Sequence, residues 1–281
     1  MTLSKNSVAV VTGAASGIGR ALAIRLAKEN IAGIAISDVN ENGLNETAEM
    51  VSKFGVNCSA HIIDVSNRDE MKAFAEEVAE KHGRVTHLIN NAGVGLIGHV
   101  KEVSIEDIEW LMGINFWGTV YGVKFFLPIL SEQESAHIVN VSSIFGIIAP
   151  PGNAAYCASK FAVRGFTESL RHELEGSNVS VSCVHPGGVK TNIGDASRVG
   201  ERSTEAEKKK AAQFLAKASR TTAEEAAETI VKGIKSRDPR ILIGADARTI
   251  DKIQRLFPRK YFAVMDKLYG GKLSEAMKPS K

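Results

Sequence analysis

Residues 8–30 read VAVVTGAASGIGRALAIRLAKEN, and three signals within them decide the fold. Val8–Val11 is a short apolar run suited to a strand buried on both faces. From Ser16 onward the apolar residues recur at helical spacing. Between the two lies Thr12-Gly13-Ala14-Ala15-Ser16-Gly17-Ile18-Gly19. Glycines at 13, 17 and 19 permit a tight turn and close backbone approach to a pyrophosphate. The helix start behind them offers free N–H groups and the positive end of a dipole. A glycine cluster alone also describes a plain turn. Strand, turn and helix in succession favour a dinucleotide cradle.

Working outward, β-like runs recur at IAGIAISD, CSAHIID, THLIN, HIVNVS, SVSCVHPG and RILIG. Helical patterns separate them: ENGLNETAEMVSKF, DEMKAFAEEVAEKHG, SIEDIEWLMGINFWGTVYGVKFFLPIL, AAYCASKFAVRGFTESLRHEL and TTAEEAAETIVKGIKS. This alternation predicts an α/β fold, a Rossmann-type doubly wound parallel sheet in three α/β/α layers, with ligands beyond the carboxyl ends of the strands. The chain has 281 residues, is 44% hydrophobic and carries a formal charge of +3, which suits one domain over 1–281 and gives no sign of nucleic acid. Cys58, Cys157 and Cys183 lack disulfide or metal spacing, no metal-ligand cluster is visible, and MTLSKNSVAVVTG leaves no room for a signal peptide. A cytoplasmic protein is expected.

The chemistry-bearing residues fall at strand ends. Asp38 closes the second predicted strand, where a carboxylate accepts hydrogen bonds from adenosine ribose hydroxyls and repels a 2′-phosphate. Neither Ser16 nor Val39 supplies a cation, so NAD is favoured over NADP; capping of the next segment is the other reading of Asp38. Asp64-Val65 suits an adenine contact or a simple helix start. Asn90-Asn91-Ala92-Gly93 ends the fourth predicted strand with small residues and amides, suiting close passage of a cofactor. Asn115 lies inside the apolar pattern MGINFWGTVYGVKFF, where a buried amide must be satisfied. It serves either a structural network or a helix interruption holding a water that leads to Lys160. Ser143 follows HIVNVS, and Tyr156 and Lys160 sit at i and i+4 of a predicted helix. A phenol titrates near 10 in water. An ammonium one turn away favours its phenolate, which makes a usable base, and the serine hydroxyl is placed to hold a carbonyl or alcohol oxygen. Alone, Tyr-x3-Lys also describes an ordinary helix surface.

Taken together, Thr12-Gly13-x3-Gly17-Ile18-Gly19, Asn90-Asn91-Ala92-Gly93, Asn115, Ser143, Tyr156-x3-Lys160 and Pro186-Gly187 resemble the short-chain dehydrogenase/reductase family in order and spacing, over residues 5–195. The glycine spacing is that of its shorter, single-domain branch. The resemblance implies Tyr156 as acid/base, Lys160 as its tuning partner and a ligand of the nicotinamide ribose, Ser143 as orienter of the substrate oxygen, and Asn115 as holder of a relay water. It implies that Gly13, Ser16, Gly17, Ile18, Gly19, Asp38, Asp64, Val65, Asn91, Ala92 and Gly93 line the cofactor. Pro186, Gly187, Val189 and Thr191 are implied at its nicotinamide end. A homo-oligomer, tetramer or dimer, is implied, with the Asn115 and Tyr156 helices forming one subunit face. The runner-up is a cofactor-binding regulator or scaffold that no longer turns over substrate.

The same resemblance places the substrate against the segments after the fourth, fifth and sixth strands. Those supply Gly95, Leu96, Ile97, Ile144, Phe145, Gly146, Ile147, Gly188, Val189 and Ile193, with Asn153 as a polar contact. Without a cationic clamp, a hydrophobic secondary alcohol or ketone is expected. Residues 194–222 fall where a mobile substrate lid belongs. From Asp246 to 281 a helical extension, interrupted at Pro258, has three readings: packing on the domain or another subunit, a pocket wall, or a membrane-surface patch.

Overall fold

The computed structural model describes residues 3–191, 193, 197–200, 220–268 and 270–271. Its strands are β1 (Val8–Thr12), β2 (Gly33–Asp38), β3 (Asn57–Ile62), β4 (His87–Asn90), β5 (Leu96–Ile97), β6 (Ala136–Val141), β7 (Val179–Pro186), β8 (Arg198–Val199) and β9 (Arg240–Ile243). Seven form one parallel sheet in the order β3-β2-β1-β4-β6-β7-β9. Val10 pairs with Ala35 on one side and Leu88 on the other. The strand order therefore reverses between β1 and β4, which opens a crevice at their carboxyl ends. β1 is buried at every residue because both faces are covered.

One face carries α1 (Gly17–Ala27), α2 (Glu41–Ser52) and α7 (Ala223–Ser236). Leu22, Leu26, Leu44, Ile230 and Val231 pack there against Val11, Ile34 and Ile36. The other face carries α3 (Arg68–His82), α5 (Gly118–Ser131) and α6 (Ala154–Glu173). Its core joins Met71, Phe74, Val123 and Phe126 to Val10, Leu88 and Ile138. Each fully buried Leu, Ile or Phe adds about 1.5–3 kcal/mol. Local signals agree: Asn67 caps α3 and Gly83 ends it at φ 70, and Thr222 with Glu225 forms a reciprocal capping box on α7. The predicted doubly wound, three-layer architecture is the one observed.

Three features differ from the sequence reading. The long helix expected between Ser104 and Leu130 is split into α4 (Ile105–Met112), one π turn (Gly113–Trp117) and α5. β5 and β8, two residues each, give too short a pattern to be read, yet they pair in parallel. Most of the proposed lid, including Lys208–Lys210, lies outside the described residues. Its described part is held to the core: Arg198 stacks 3.7 Å from the Trp110 ring centroid and meets Asp107 Oδ1 at 3.0 Å.

The extension forms α8 (Ala245–Leu256) and α9 (Tyr261–Leu268), broken around Pro258. Ala247, Ile250 and Met265 pack with Ile144, Ile147 and Ile148. The packing reading therefore holds for the inner face, whereas Leu256, Phe257 and Leu268 point outward. Among the described residues no helix is long and apolar enough to cross a membrane.

Candidate active site

The crevice between β1 and β4 is shaped by side chains that bond backbone. Thr12 Oγ1 accepts from the amides of Asn91 and Ala92 at 3.1 and 3.0 Å. Asn91 Nδ2 donates to the Thr12 and Gly13 carbonyls at 2.9 and 3.1 Å. Asn91 thus acts through its side chain on the loop. Gly13 sits at φ 67, and a Cβ there would lie 2.7 Å from Ala92 Cα. A Cβ on Gly19 would overlap the Gly13 carbonyl oxygen. The backbone of β1's exit therefore lies against α1 only because both are glycine. Gly19→Ala is expected to lose about 1–3 kcal/mol of unfolding free energy, the usual cost of overpacking, read in a urea titration. NADH affinity should fall with it.

Ser16 begins α1 in extended conformation, is exposed, and its hydroxyl caps nothing. A Cβ on Gly17 would touch Thr191 Cγ2 at 3.2 Å, so Thr191 stands beside this helix start. Free amides, a small-residue cradle and an uncommitted hydroxyl fit a pyrophosphate. Asp38 accepts from Ala15 N at 2.9 Å and from Asn40 N at 3.0 Å. Asn40, not Asp38, caps α2. The nearby Arg20 guanidinium is spent: it donates to the Ala15 and Gly43 carbonyls, Thr47 and Glu46. Asp64 Oδ1 is taken by Ser66 N and Oγ, while Asn67 caps α3, so Asp64 shapes a turn and does not start the helix. Val65 is buried beside Gly118. These groups fit the adenosine and pyrophosphate of a dinucleotide.

Ser143, Tyr156 and Lys160 meet at the carboxyl end of β6. Ser143 begins a single 3₁₀ turn, Ile144–Gly146, its Oγ accepting from Phe145 N at 3.1 Å. The Tyr156 phenol stands near Ser143, and the Phe145 ring stands edge-on to it with centroids 6.1 Å apart. Lys160 Nζ donates to the Val141 carbonyl at 3.2 Å and lies 5.9 Å from the Tyr156 ring centroid. This corrects one expectation. Burial pushes the phenol up to about 12, with Ser143 pulling the other way. Burial also lowers Lys160 to about 8. Desolvation dominates, and the lysine donates to a carbonyl instead of the phenol.

Asn115, in the π turn, is buried and fully satisfied. Its Oδ1 accepts from Val94 N at 2.8 Å; its Nδ2 donates to Val94 O and Ser159 Oγ, both at 3.0 Å. The amide belongs to a network of protein groups within the helix interruption. Ser159 Oγ in turn donates to the Tyr156 carbonyl. A Cβ on Gly93 would sit 3.2 Å from both Asn115 Oδ1 and Lys160 Nζ, so three elements converge on one point. Pro186 ends β7, Gly187 N bonds Ile243 O, and Val189 bridges to Thr221. On the substrate side two groups already have protein partners. Asn153 turns its Nδ2 back onto the Pro151 carbonyl, and the Gly188 amide is already held by Asp246.

The sequence reading missed the supports. His185, fully buried, bonds the Ser143 carbonyl at 3.1 Å through Nδ1. Ser142 Oγ donates to the Lys160 carbonyl at 2.8 Å, tying α6 to the end of β6. Adjacency of Ser142 to Ser143 was the available signal for one; nothing local marks His185.

A glycine cradle and a Ser-Tyr-Lys cluster stand together at the carboxyl edge of one parallel sheet, an arrangement that suits an oxidoreductase. The short chain dehydrogenase family profile matches residues 7–202, and the chain belongs to that family as one of its oxidoreductases. It is similar to the putative oxidoreductase SadH of Mycobacterium tuberculosis, 40% identical over 263 residues, 93% of this chain and 94% of that one. A short chain dehydrogenase/reductase from Burkholderia phymatum, solved in complex with NAD, superposes with a TM-score of 0.83 at 35% identity, covering 91% of this chain and 95% of that one. An alcohol dehydrogenase from Thermococcus sibiricus, complexed with 5-hydroxy-NADP, gives 0.72 at 25% identity, covering 84% and 95%.

Proposed function

We propose that the protein is an NAD-dependent dehydrogenase acting between a hydrophobic secondary alcohol and its ketone, with residues 1–281 as one catalytic domain. The convergence of Ser143, Tyr156 and Lys160 beside the glycine cradle carries this reading. The nicotinamide, when bound, supplies or takes up the hydride. Tyr156 takes the proton from the alcohol oxygen during oxidation and returns it to the carbonyl oxygen during reduction. Ser143 Oγ donates to that oxygen as negative charge gathers on it. Lys160 holds a positive charge at the back of the site, where it favours the phenolate once the phenol is engaged. Asn115 fixes the Val94 turn and Ser159, and thereby the α6 turn that carries Tyr156.

NAD is preferred to NADP because Asp38 faces the ribose end and Arg20 is committed elsewhere. Phe145 and Ile147 belong to one apolar cluster, which suits an apolar substrate. Exposed Trp117 and Phe161, on the segments carrying Asn115 and Tyr156, support a subunit face of a homo-oligomer. A regulator with this fold would need the cradle but not the serine, tyrosine and lysine together. The test is absorbance at the reduced-nicotinamide band across hydrophobic secondary alcohols with NAD⁺ and NADP⁺ in parallel. Turnover with NAD⁺ is expected. Binding of NADH with no turnover would favour the regulator, and a preference for NADP⁺ would overturn the reading of Asp38.

A further inference from the structure

Asp246 and Tyr261 lie beyond the stretch matched by the family profile, yet each sends one hydrogen bond into a different wall of the site. Asp246, in the first turn of α8, accepts from Gly188 N at 2.7 Å. Its carboxylate fills the space that a Cβ on Gly187 or Gly244 would claim. Gly188 follows Pro186-Gly187 and leads to Val189 and Thr191, the loop assigned to the nicotinamide end. Tyr261, the first residue of α9, accepts on its phenol from Ala149 N at 3.0 Å. Ala149 closes the segment that starts at Ser143 and carries Phe145, whose ring abuts Tyr156. Between the two hydrogen bonds, Ile147 and Ile148 pack on Ile250 and Met265, so the helix pair and the substrate wall form one cluster.

We propose that Asp246 and Tyr261 are positioning residues, Asp246 setting the loop at the nicotinamide end and Tyr261 setting the substrate wall, so that the C-terminal helix pair governs the two affinities separately. This rests on the dehydrogenase reading for what occupies each wall. Neither residue touches the reacting atoms. Each acts by holding a backbone amide that would otherwise be free to turn, and pre-set geometry of this kind acts through binding and orientation.

The experiment pairs two variants in the full chain. Tyr261→Phe removes one hydroxyl and leaves the ring in its cluster. Its ketone KM should rise roughly threefold to tenfold, the worth of one hydrogen bond, while its NADH Kd, from a fluorescence titration, stays at the wild-type value. Hydrogen exchange at Ala149, followed without cofactor, should quicken. Asp246→Ala should raise the NADH Kd by a similar factor and leave ketone KM unchanged. Asp246→Asn, which keeps an acceptor oxygen, should restore most of the affinity. A merely structural role would move both constants and the melting temperature together in both variants, and that result, or no change in either, overturns the proposal. If the wild type turns over nothing, the dehydrogenase reading fails, while NADH Kd and Ala149 exchange still decide the brace.

Discussion

Tyr156→Phe is expected to lower kcat by about 10²–10⁴-fold, the range that a positioned acid or base contributes, with NADH Kd within a factor of three of wild type. The substitution deletes one oxygen. The ring keeps its edge-on contact with Phe145 and its place in α6, so folding should be unaffected. What disappears is the phenol oxygen beside Ser143, the group assigned to carry a proton to or from a substrate oxygen. The pH profile gives a second readout. With the phenol up at about 12 in the free protein, only a small fraction is phenolate at neutral pH. Alcohol oxidation needs the deprotonated form, so its rate should climb with pH, and carbonyl reduction should fall over the same interval. Undiminished turnover in Tyr156→Phe would remove the tyrosine from the mechanism altogether.

The sequence carried the sheet well, for a physical reason. A strand buried on both faces must be apolar along its length, so Val8–Val11, His87–Asn90 and Ala136–Val141 stand out between helical patterns without help from context. The candidate site residues were picked for a related reason: ligands meet the carboxyl ends of strands, where Thr12, Asp38, Asn91 and Ser143 all fall. Hydrogen bonds across distant segments were not legible. Asn91 bonds Thr12 over 79 positions, and His185 supports Ser143 over 42. No local periodicity encodes such pairings. Lys160 shows the same limit in its energetics. Its helical spacing from Tyr156 is plain in the sequence, but whether its ammonium faces the phenol or the Val141 carbonyl depends on where β6 ends beneath it. The extension divided along similar lines. Its helical period was visible, yet that Tyr261 reaches Ala149, a contact across 112 positions, required the fold.

Acid should destabilise the protein well before its carboxylates titrate, with a loss of about 5 kcal/mol of unfolding free energy between pH 7 and pH 5. Three histidines carry this prediction. His87, His137 and His185 are buried, and desolvation lowers them to about 4, 3 and 4. Burial keeps each neutral, and each also has a defined hydrogen-bond partner. His87 Nδ1 meets Thr86 Oγ1 at 2.8 Å, His137 Nε2 meets Ser182 Oγ at 2.8 Å, and His185 Nδ1 meets the Ser143 carbonyl. His87 and His137 also face each other at 6.4 Å, so charging one opposes charging the other. The sign follows from linkage. The unfolded chain takes up protons below the ordinary value of 6.5, and the folded chain does not until far lower pH. Stability is therefore full above 6.5 and falls as pH drops through the interval down to 3–4. At pH 5 each site costs about 2 kcal/mol, from 1.4 kcal/mol per pH unit. His61 and His82, also lowered by burial, add in the same direction. The ion-paired carboxylates do not confuse the window. Glu29 and Asp251 are held below ordinary values of 4.5 and 3.8, so their contributions are lost only beneath those values. Urea unfolding at pH 7 and pH 5 measures the difference, and His137→Gln should flatten the slope by about a third. A loss this large is a major part of an ordinary domain's 5–15 kcal/mol. Equal stability at the two pH values would mean that the folded protein admits protons to these sites, against the burial that defines them.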